Sequence, residues 1–267
     1  ETEVWPNVQH VALQMGVPMV LANARLSEKS LKQGLRLAAL MRPAAQALSA
    51  VLAQTEDDAR RLRQMGSPLV HVCGNVKFDM TPLPHLLVQG QAWRSASGRP
   101  IVLVASTREG EEAPLLDAWM ALTRTWPADT LLPRLWVVPR HPQRFDEVAA
   151  LMARKGVSVS RRSEWIQGSP DATAREADVW LGDSMGEMPA YFASARVALL
   201  GGSFEPLGGQ NLIEAAACGC PIIMGPSTFN FADAAELSEA AGAAIRVQNL
   251  ADAVNKAVKF CNTDDGG

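Results

Sequence analysis

Residues 201–225 read GGSFEPLGGQNLIEAAACGCPIIMG and continue the apolar run RVALLG at 196–201. A short apolar run that ends at glycines is typical of a strand buried on both faces. After the pair Gly208 and Gly209 the composition favours a helix, and PIIM at 221–224 predicts the next strand. The stretch therefore predicts a strand, a glycine-rich loop, a helix and a second strand, which is the repeating unit of a parallel sheet.

The same alternation of apolar runs and helical segments extends over most of the chain. Runs that predict strands lie at 17–22, 50–54, 69–74, 101–105, 134–138, 157–160, 178–182, 196–201 and 221–224. The clearest helical segments are Glu28 to Leu48, Thr55 to Met65, Glu109 to Trp126, Arg144 to Lys155 and Met188 to Ser194. This repetition predicts an α/β protein with doubly wound parallel sheets.

Residues 81–100 interrupt the alternation. They contain three prolines and a Ser/Gly cluster, which are typical of a linker between domains. The sequence thus predicts the C-terminal part of one Rossmann-like domain over 1–80, a linker over 81–100 and a second Rossmann-like domain over 101–267. Domains of this kind bind ligands at the carboxyl ends of their strands.

The composition excludes several classes of function. The 267 residues carry a formal net charge of -3, and 48% are apolar, which fits a globular protein and disfavours a nucleic-acid partner. No apolar run reaches the ~20 residues of a membrane helix. The sequence has no P-loop, no GxGxxG after a strand and no GxSxG, and its four cysteines and four histidines lack metal-ligand spacing. Because the first residue is Glu1 rather than Met, we expect that a segment of the parent protein precedes it.

The helix start at Asn211 is the first candidate site. Free N–H groups at a helix start attract phosphate, and the glycines before it allow close backbone approach. Glu214 lies one turn later on the same helix face, where a carboxylate accepts from both hydroxyls of a ribose. The pattern favours a nucleotide, and the alternative is an ordinary helix cap followed by an acid that stabilises the helix dipole.

Two further strand-end loops add candidates. The strand WVV ends in Pro139 and Arg140, where the cation either pairs with a phosphate or is a solvated surface charge. The loop Asp183 to Glu187 follows another predicted strand, and Gly186 allows a ligand to approach its backbone unless the loop is a plain turn.

The first domain has candidates of its own. Lys77 follows the predicted strand at 69–74, where an ammonium stabilises a departing phosphate or is simply solvated. Glu1 and Glu3 point to the same side if their stretch is extended.

Eight motifs occur in order along nearly the whole chain. They are ETEVWPN (1–7), ANARLSEKS (22–30), GNVKFD (74–79), ASTREGEE (105–112), VPRHPQRF (138–145), GDSMGEM (182–188), GGSFEPLGGQNLIEAA (201–216) and MGPSTFNF (224–231). The series resembles that of the Kdo (3-deoxy-D-manno-octulosonic acid) transferases of Gram-negative bacteria. The resemblance implies the GT-B glycosyltransferase fold, with two Rossmann-like domains of which the first is truncated at its N-terminus here.

The resemblance also implies substrates and residue roles. The second domain would bind the donor CMP-Kdo without a cofactor or a metal. The first domain would bind a lipid A precursor (lipid IVA) at the cytoplasmic face of the inner membrane. Glu1 and Lys77 match positions that stabilise the transition state, while the general-base glutamate belongs to a segment upstream of this chain. The residues that would hold CMP are Pro139, Arg140, Met185, Gly186, Glu187, Asn211, Leu212, Ile213 and Glu214.

The chain departs from the family pattern at three positions. Many relatives have His where Gln210 and Ser227 stand, and Pro where Leu212 stands. A glutamine still donates and accepts hydrogen bonds, but a protonatable contact is lost. We expect this chain by itself to be a soluble fragment that binds the donor weakly and transfers no sugar.

Three alternatives stay open at the level of the sequence. The chain could belong to a GT-B enzyme that uses a UDP-sugar, or it could be a non-catalytic nucleotide-binding module. As a third alternative, the incomplete first domain exposes apolar sheet edges and the fragment folds poorly.

Overall fold

A computed structural model of the chain describes residues 5–262. The chain divides into two compact units, Glu1–Met80 and Thr81–Gly267. Each unit contains a parallel sheet with helices between its strands, which confirms the predicted α/β class. Among the residues described, no helix is both long enough and apolar enough to cross a membrane.

The first unit has a small sheet. Its elements are α1 (Pro6–Gln14), β1 (Val20–Ala24), α2 (Glu28–Arg36), α3 (Ala38–Gln46), β2 (Ala50–Ala53), α4 (Glu56–Met65) and β3 (Val70–Val72). The strand order is β1-β2-β3, and both neighbouring pairs are parallel. Ala24, Val51, Ala53 and Leu62 are buried together, so the strands and α4 share one small core.

The second unit has a larger parallel sheet. Over the described residues its order is β10-β9-β8-β4-β5-β7-β6. The strands are β4 (Ile101–Thr107), β5 (Arg134–Pro139), β6 (Val159–Arg161), β7 (Val179–Leu181), β8 (Val197–Leu200), β9 (Ile222–Met224) and β10 (Ala244–Arg246). The helices are α5 (Pro84–Ser97), α6 (Glu112–Arg124), α7 (Phe145–Arg154), α8 (Ala172–Glu176), α9 (Met188–Ser194), α10 (Leu212–Ala217), α11 (Ala232–Ala240) and α12 (Leu250–Asn262).

Strand β4 lies inside this sheet and is covered on both faces. Ile101 and Leu103 belong to one core cluster, whereas Val102 and Val104 belong to a second cluster. Successive side chains of a strand point to opposite faces, so two cores require apolar residues at every position. This explains why the strand is a continuous apolar run rather than an alternating one.

The prediction of a linker over 81–100 is wrong for most of its length. Helix α5 occupies this stretch, with Pro84 in its first turn and Gly98 as its left-handed C-cap at φ 67°. Proline fits the first turn because it has no N–H to leave unpaired, and glycine fits a left-handed C-cap. The residues that suggested a linker therefore mark the two ends of a helix whose Trp93 is fully buried.

Two other predictions differ from the structure. The helix predicted from Glu28 to Leu48 is interrupted at Leu37, where φ is −109° and ψ is 34°. Because of this interruption, α2 packs on α4, whereas α3 packs on both α1 and α4. A single straight helix would run in one direction only. Strand β10 was not predicted because only three residues pair with β9 and Ile245 is largely exposed.

Helices α5 and α9 approach closely at Gly90, which generates a test of the packing. A Cβ at Gly90 would lie 2.3 Å from the Ala190 carbonyl oxygen and 2.7 Å from Ala193 Cβ. Helix propensity favours alanine by up to about 1 kcal/mol, but overpacking against backbone costs about 1 to 3 kcal/mol. Gly90→Ala should therefore lower the free energy of unfolding, measured by urea denaturation and far-UV circular dichroism.

The control for this test is the next residue on the same helix. Gln91 is exposed, so Gln91→Ala should change the free energy of unfolding by less than about 0.5 kcal/mol. A Gly90→Ala protein that is more stable than the unchanged protein would contradict the close packing of α5 on α9.

Candidate functional site

The carboxyl ends of four neighbouring strands form one edge of the larger sheet. In the order β8-β4-β5-β7 every neighbouring pair is parallel, so the loops that follow these strands lie along the same edge. The chain continues from β4 to β5 on one side and β8 lies on the other, so the loops after β4 and β8 diverge. Ligands of open parallel sheets bind at such switch points. The three loops singled out in this half of the sequence follow β5, β7 and β8.

The loop after β8 is shaped by its glycines. Gly208 and Gly209 both have positive φ, at 84° and 73°. The Gly208 N–H donates to Ser227 Oγ at 3.0 Å, and the Gly209 N–H donates to the Gly202 carbonyl oxygen at 2.7 Å. A Cβ at Gly208 would lie 2.4 Å from Asn230 Nδ2. The glycine pair therefore serves the close folding of the loop itself, and Ser227 is one of its hydrogen-bond partners.

The first residues after the glycine pair have structural roles, as a helix cap and as part of the core. Asn211 is the N-cap of α10, and its Oδ1 accepts from the Ile213 N–H at 3.1 Å. The side chains of Leu212 and Ile213 are buried in the core. Because α10 has only six residues, its dipole is a smaller attraction for phosphate than the sequence suggested.

Arg140 after β5 meets Gln210 before α10 and interacts electrostatically with Glu214 on α10, and we name these three residues the edge cluster. Arg140 is exposed and follows the buried Pro139, and its Nε donates to Gln210 Oε1 at 3.1 Å. Burial raises the pKa of the half-buried Glu214 carboxyl, and the Arg140 guanidinium opposes that rise. The cluster combines a cation with a carboxylate, which suits a ligand that has both a phosphate and hydroxyl groups.

The loop after β7, residues 183–187, has an exposed middle and anchored ends. Gly186 has a φ of 79° with open space at its Cβ position, and Met185 is 63% exposed. The carboxylates at the two ends, Asp183 and Glu187, instead bind side chains of the protein. Of the three residues predicted here, Met185 and Gly186 are accessible, whereas Glu187 is engaged internally.

The two candidates of the first unit have different outcomes. Lys77 lies in a short 3₁₀ turn, Val76–Phe78, separated from the end of β3 by residues 73–75, and its side chain is exposed. Asn75 shapes the turn, because its Oδ1 accepts from the Lys77 N–H at 3.0 Å. Glu1 lies outside the described residues.

Sequence reasoning missed a buried pair of carboxylates after β4. The Glu111 carboxylate accepts three backbone N–H groups, from Arg108 at 2.9 Å, Gly202 at 2.8 Å and Phe204 at 3.2 Å. Burial raises its pKa, although these hydrogen bonds oppose the rise. Glu112 accepts from Arg144 Nη1 at 2.7 Å. The sequence shows two consecutive acids shortly after an apolar strand, but acids are common in loops, and only their burial requires partners.

The chain matches known proteins along its whole length. Residues 1–80 match the family described as 3-Deoxy-D-manno-octulosonic-acid transferase (kdotransferase). The chain is 48% identical over 260 residues to the 3-deoxy-D-manno-octulosonic acid transferase of Bordetella pertussis, covering 97% of this chain and 60% of that protein. It is 33% identical over 263 residues to the protein of the same name from Haemophilus influenzae, covering 97% of this chain and 60% of that protein.

A solved domain structure matches two thirds of the chain. It is the C-terminal CMP-Kdo binding domain of WaaA from Acinetobacter baumannii, with a TM-score of 0.57 and 30% identity, covering 66% of this chain and 89% of that domain. The chain belongs to the Kdo transferase family. It spans 60% of the length of the Bordetella and Haemophilus relatives.

The structural match can be compared with the position of the sheet edge described above. The match covers 66% of this chain, and the first unit holds only residues 1–80, so the match extends over much of the second unit. Residues 5–262 hold no group of three or more His, Cys, Asp and Glu side chains that could bind a metal ion.

The role of Glu111 can be tested through stability. Glu111→Gln puts an amide NH₂ beside backbone N–H groups, so at least one buried donor loses its acceptor, at a cost of about 1 to 3 kcal/mol. The free energy of unfolding, measured by urea denaturation, should fall accordingly. Glu109→Gln, at an exposed position of the same loop, is the control and should stay within about 0.5 kcal/mol.

The edge cluster predicts a pH dependence. Because burial raises the pKa of Glu214, its contribution to stability is complete below the ordinary value of 4.5 and is lost as pH rises through the folded-state pKa. Glu214→Gln cannot ionise and should not show this loss. Its free energy of unfolding relative to the unchanged protein should therefore increase from about pH 4 to about pH 8.

A second background checks the cause of this pH dependence. Arg140 opposes the rise in the Glu214 pKa, so Arg140→Gln should raise that pKa further. The pH-dependent difference made by Glu214→Gln should then be larger than in the presence of Arg140. A difference that is flat with pH in both backgrounds would contradict the burial of this carboxylate.

Proposed function

We propose that the second unit binds CMP-Kdo at the carboxyl edge of its sheet, between the loops after β5, β7 and β8. The observation that carries this proposal is the edge cluster, in which Arg140 after β5 donates to Gln210 and interacts electrostatically with Glu214 on α10. Arg140 pairs with the phosphate, because a guanidinium forms charge-assisted hydrogen bonds with phosphate oxygens. Glu214 accepts hydrogen bonds from the ribose hydroxyls. Support comes from the similarity to a domain described as CMP-Kdo binding.

The proposed reaction of the whole protein is transfer of Kdo from CMP-Kdo to an acceptor hydroxyl. The acceptor oxygen forms a bond to the anomeric carbon of Kdo while the bond from that carbon to the CMP phosphate oxygen breaks. The hydroxyl proton goes to a general base, which in our proposal is a glutamate outside residues 1–267, and the electron pair of the broken bond stays on CMP. Negative charge develops on the departing phosphate, so the cation Arg140 stabilises the transition state more than the ground state.

The acceptor side of the proposal involves the first unit. We propose that the acceptor is a lipid A precursor, lipid IVA, and that the whole protein works at the cytoplasmic face of the inner membrane. Lys77 is exposed in the turn that follows the carboxyl end of β3, where an ammonium can stabilise phosphate charge. Glu1 is proposed to act with it. The names of the relatives support the Kdo part of this proposal, and the acceptor follows from the family resemblance.

Calorimetric titration of the chain with CMP tests the donor site. We expect binding that Arg140→Gln weakens by about tenfold, because a charge-assisted phosphate contact is lost. Glu214→Ala should weaken the binding of CMP more than that of 2′-deoxy-CMP, since the deoxy ligand has already lost one of the two hydroxyls that the carboxylate binds. The exposed Glu236→Ala on α11 is the matched control and should bind both ligands like the unchanged protein.

A parallel titration with UMP distinguishes the donor classes. Preference for CMP supports a CMP-sugar donor, whereas equal or tighter binding of UMP would favour a UDP-sugar enzyme. A well-folded chain that binds neither nucleotide would overturn the proposed site.

A further inference from the structure

Three consecutive residues at the end of β6 hold both ends of the 183–187 loop. We name Arg161, Arg162 and Ser163 the loop clamp. Arg161 and Ser163 bind Asp183 at the start of the loop, and Arg162 binds Glu187 at its end. Because β6 pairs directly with β7, the clamp lies beside the strand from which the loop emerges.

The start of the loop is fixed by the Asp183 carboxylate, whose two oxygens both accept hydrogen bonds. Asp183 Oδ2 accepts from Arg161 Nε at 2.6 Å and from Ser163 Oγ at 2.7 Å, while Oδ1 accepts from the Ser163 N–H at 2.8 Å. The Asp183 side chain is only 1% exposed. A buried carboxylate with both oxygens paired is costly to move, so the loop leaves β7 in one direction.

The end of the loop is fixed in the same way. Glu187 Oε1 accepts from Arg162 Nη2 at 2.7 Å and from Gln89 Nε2 at 3.0 Å. Its Oε2 accepts from the Ser184 hydroxyl, which also lies 2.5 Å from the Tyr191 hydroxyl. The loop therefore closes on itself through Ser184 and Glu187, and only its middle is exposed.

Arg162 is held in place by aromatic rings. Its guanidinium lies 4.9 Å from the ring centroid of Trp93 and 5.6 Å from that of Trp165. The side chain is 12% exposed, and within residues 5–262 its buried Nε has no hydrogen-bond partner. Burying a cation that has an unpaired N–H costs free energy, and the ion pair with Glu187 and the contacts with the two rings offset that cost. This arrangement makes the position of Glu187 depend on Arg162.

We propose that Arg162 is a positioning residue for recognition of the nucleotide base, a role that rests on the proposed function. By holding Glu187, it sets the backbone of Met185 and Gly186 so that their N–H and C=O groups meet the base. Cytosine carries an amino group where uracil carries a carbonyl oxygen, so a backbone in one fixed position favours one base over the other. Loss of Arg162 lets the loop adopt several positions, and the preference for cytosine falls.

The test compares affinities for CMP and UMP, measured by calorimetry well below the melting temperature of each variant. Arg162→Gln should bind CMP about tenfold more weakly and should lower the ratio of CMP to UMP affinity. Arg162→Lys keeps the cation and should recover part of that ratio. Glu187→Gln keeps the shape of the anchored side chain but removes its charge, and it should also lower the ratio of CMP to UMP affinity. This variant tests the inference if Arg162→Gln does not fold.

The matched control is an arginine that also covers a ring but does not belong to the clamp. Arg196 lies 5.5 Å from the ring centroid of Phe260 on α12. Arg196→Gln should lower the melting temperature without changing the ratio of CMP to UMP affinity. A merely structural role for Arg162 would give the same result as this control.

A double-mutant cycle and hydrogen exchange separate positioning from general loss of stability. If Arg162 acts through Glu187, the double variant Arg162→Gln/Glu187→Gln should bind CMP no more weakly than the weaker single variant. In the nucleotide-free protein, Arg162→Gln should speed exchange of the backbone amides at 184–187, and Arg196→Gln should not.

The outcomes distinguish this inference from the proposed function. If the unchanged protein prefers CMP but Arg162→Gln keeps the same ratio of affinities, the inference is overturned while the proposed function stands. If the effects of Arg162→Gln and Glu187→Gln add fully, Arg162 does not act through Glu187 and the inference also fails. If the well-folded unchanged protein binds no CMP, both the proposed function and the inference are overturned.

Discussion

The close contact between the ends of β4 and β8 is the constraint on which the site depends. A Cβ at Gly201 would lie 2.3 Å from the Ser106 carbonyl oxygen, so only glycine lets the two strands end side by side. Glu111 then joins the loops after both strands by accepting N–H groups from Arg108, Gly202 and Phe204. This junction sets the direction of the loop that carries Gln210 toward Arg140 at the end of the neighbouring strand.

Several carboxylates near this edge are internal acceptors rather than groups reserved for a ligand. Glu111, Glu112, Asp183 and Glu187 each bind backbone or side-chain donors of the protein itself. Burying a charge is unfavourable unless its hydrogen bonds are made, so each of these acids requires one particular arrangement of its loop. Loops that are already ordered lose less entropy when a ligand binds, which favours affinity and selectivity. Glu214 differs, since burial raises the pKa of its carboxyl and the charge of Arg140 opposes that rise.

Most strands and several helices follow directly from the sequence. The predicted helix Met188 to Ser194 has the same bounds as α9, because the turn before it and the β-rich run after it leave one helical segment between them. The strand at 101–105 is part of β4 for a similar reason, since a run of branched residues between turn signals has few alternatives. The linker over 81–100 was a wrong prediction because prolines and glycines mark helix ends as well as loops. Their meaning depends on whether the residues between them, here Trp93, find a core.

The sequence by itself determined the α/β class, most of the strands and the family, because these depend on local periodicity and on ordered motifs. It also singled out Arg140 and Glu214 as candidates, since both stand next to the end of a strand or the start of a helix. Only the tertiary structure decided which polar groups meet: Arg140 with Gln210, and Arg162 with Glu187. The physical reason is that a hydrogen bond between residues 70 or 25 positions apart depends on strand order and burial, which no local pattern encodes. The sequence alone does not distinguish a carboxylate that is solvated from one that is buried against backbone N–H groups or one that is available to a ligand.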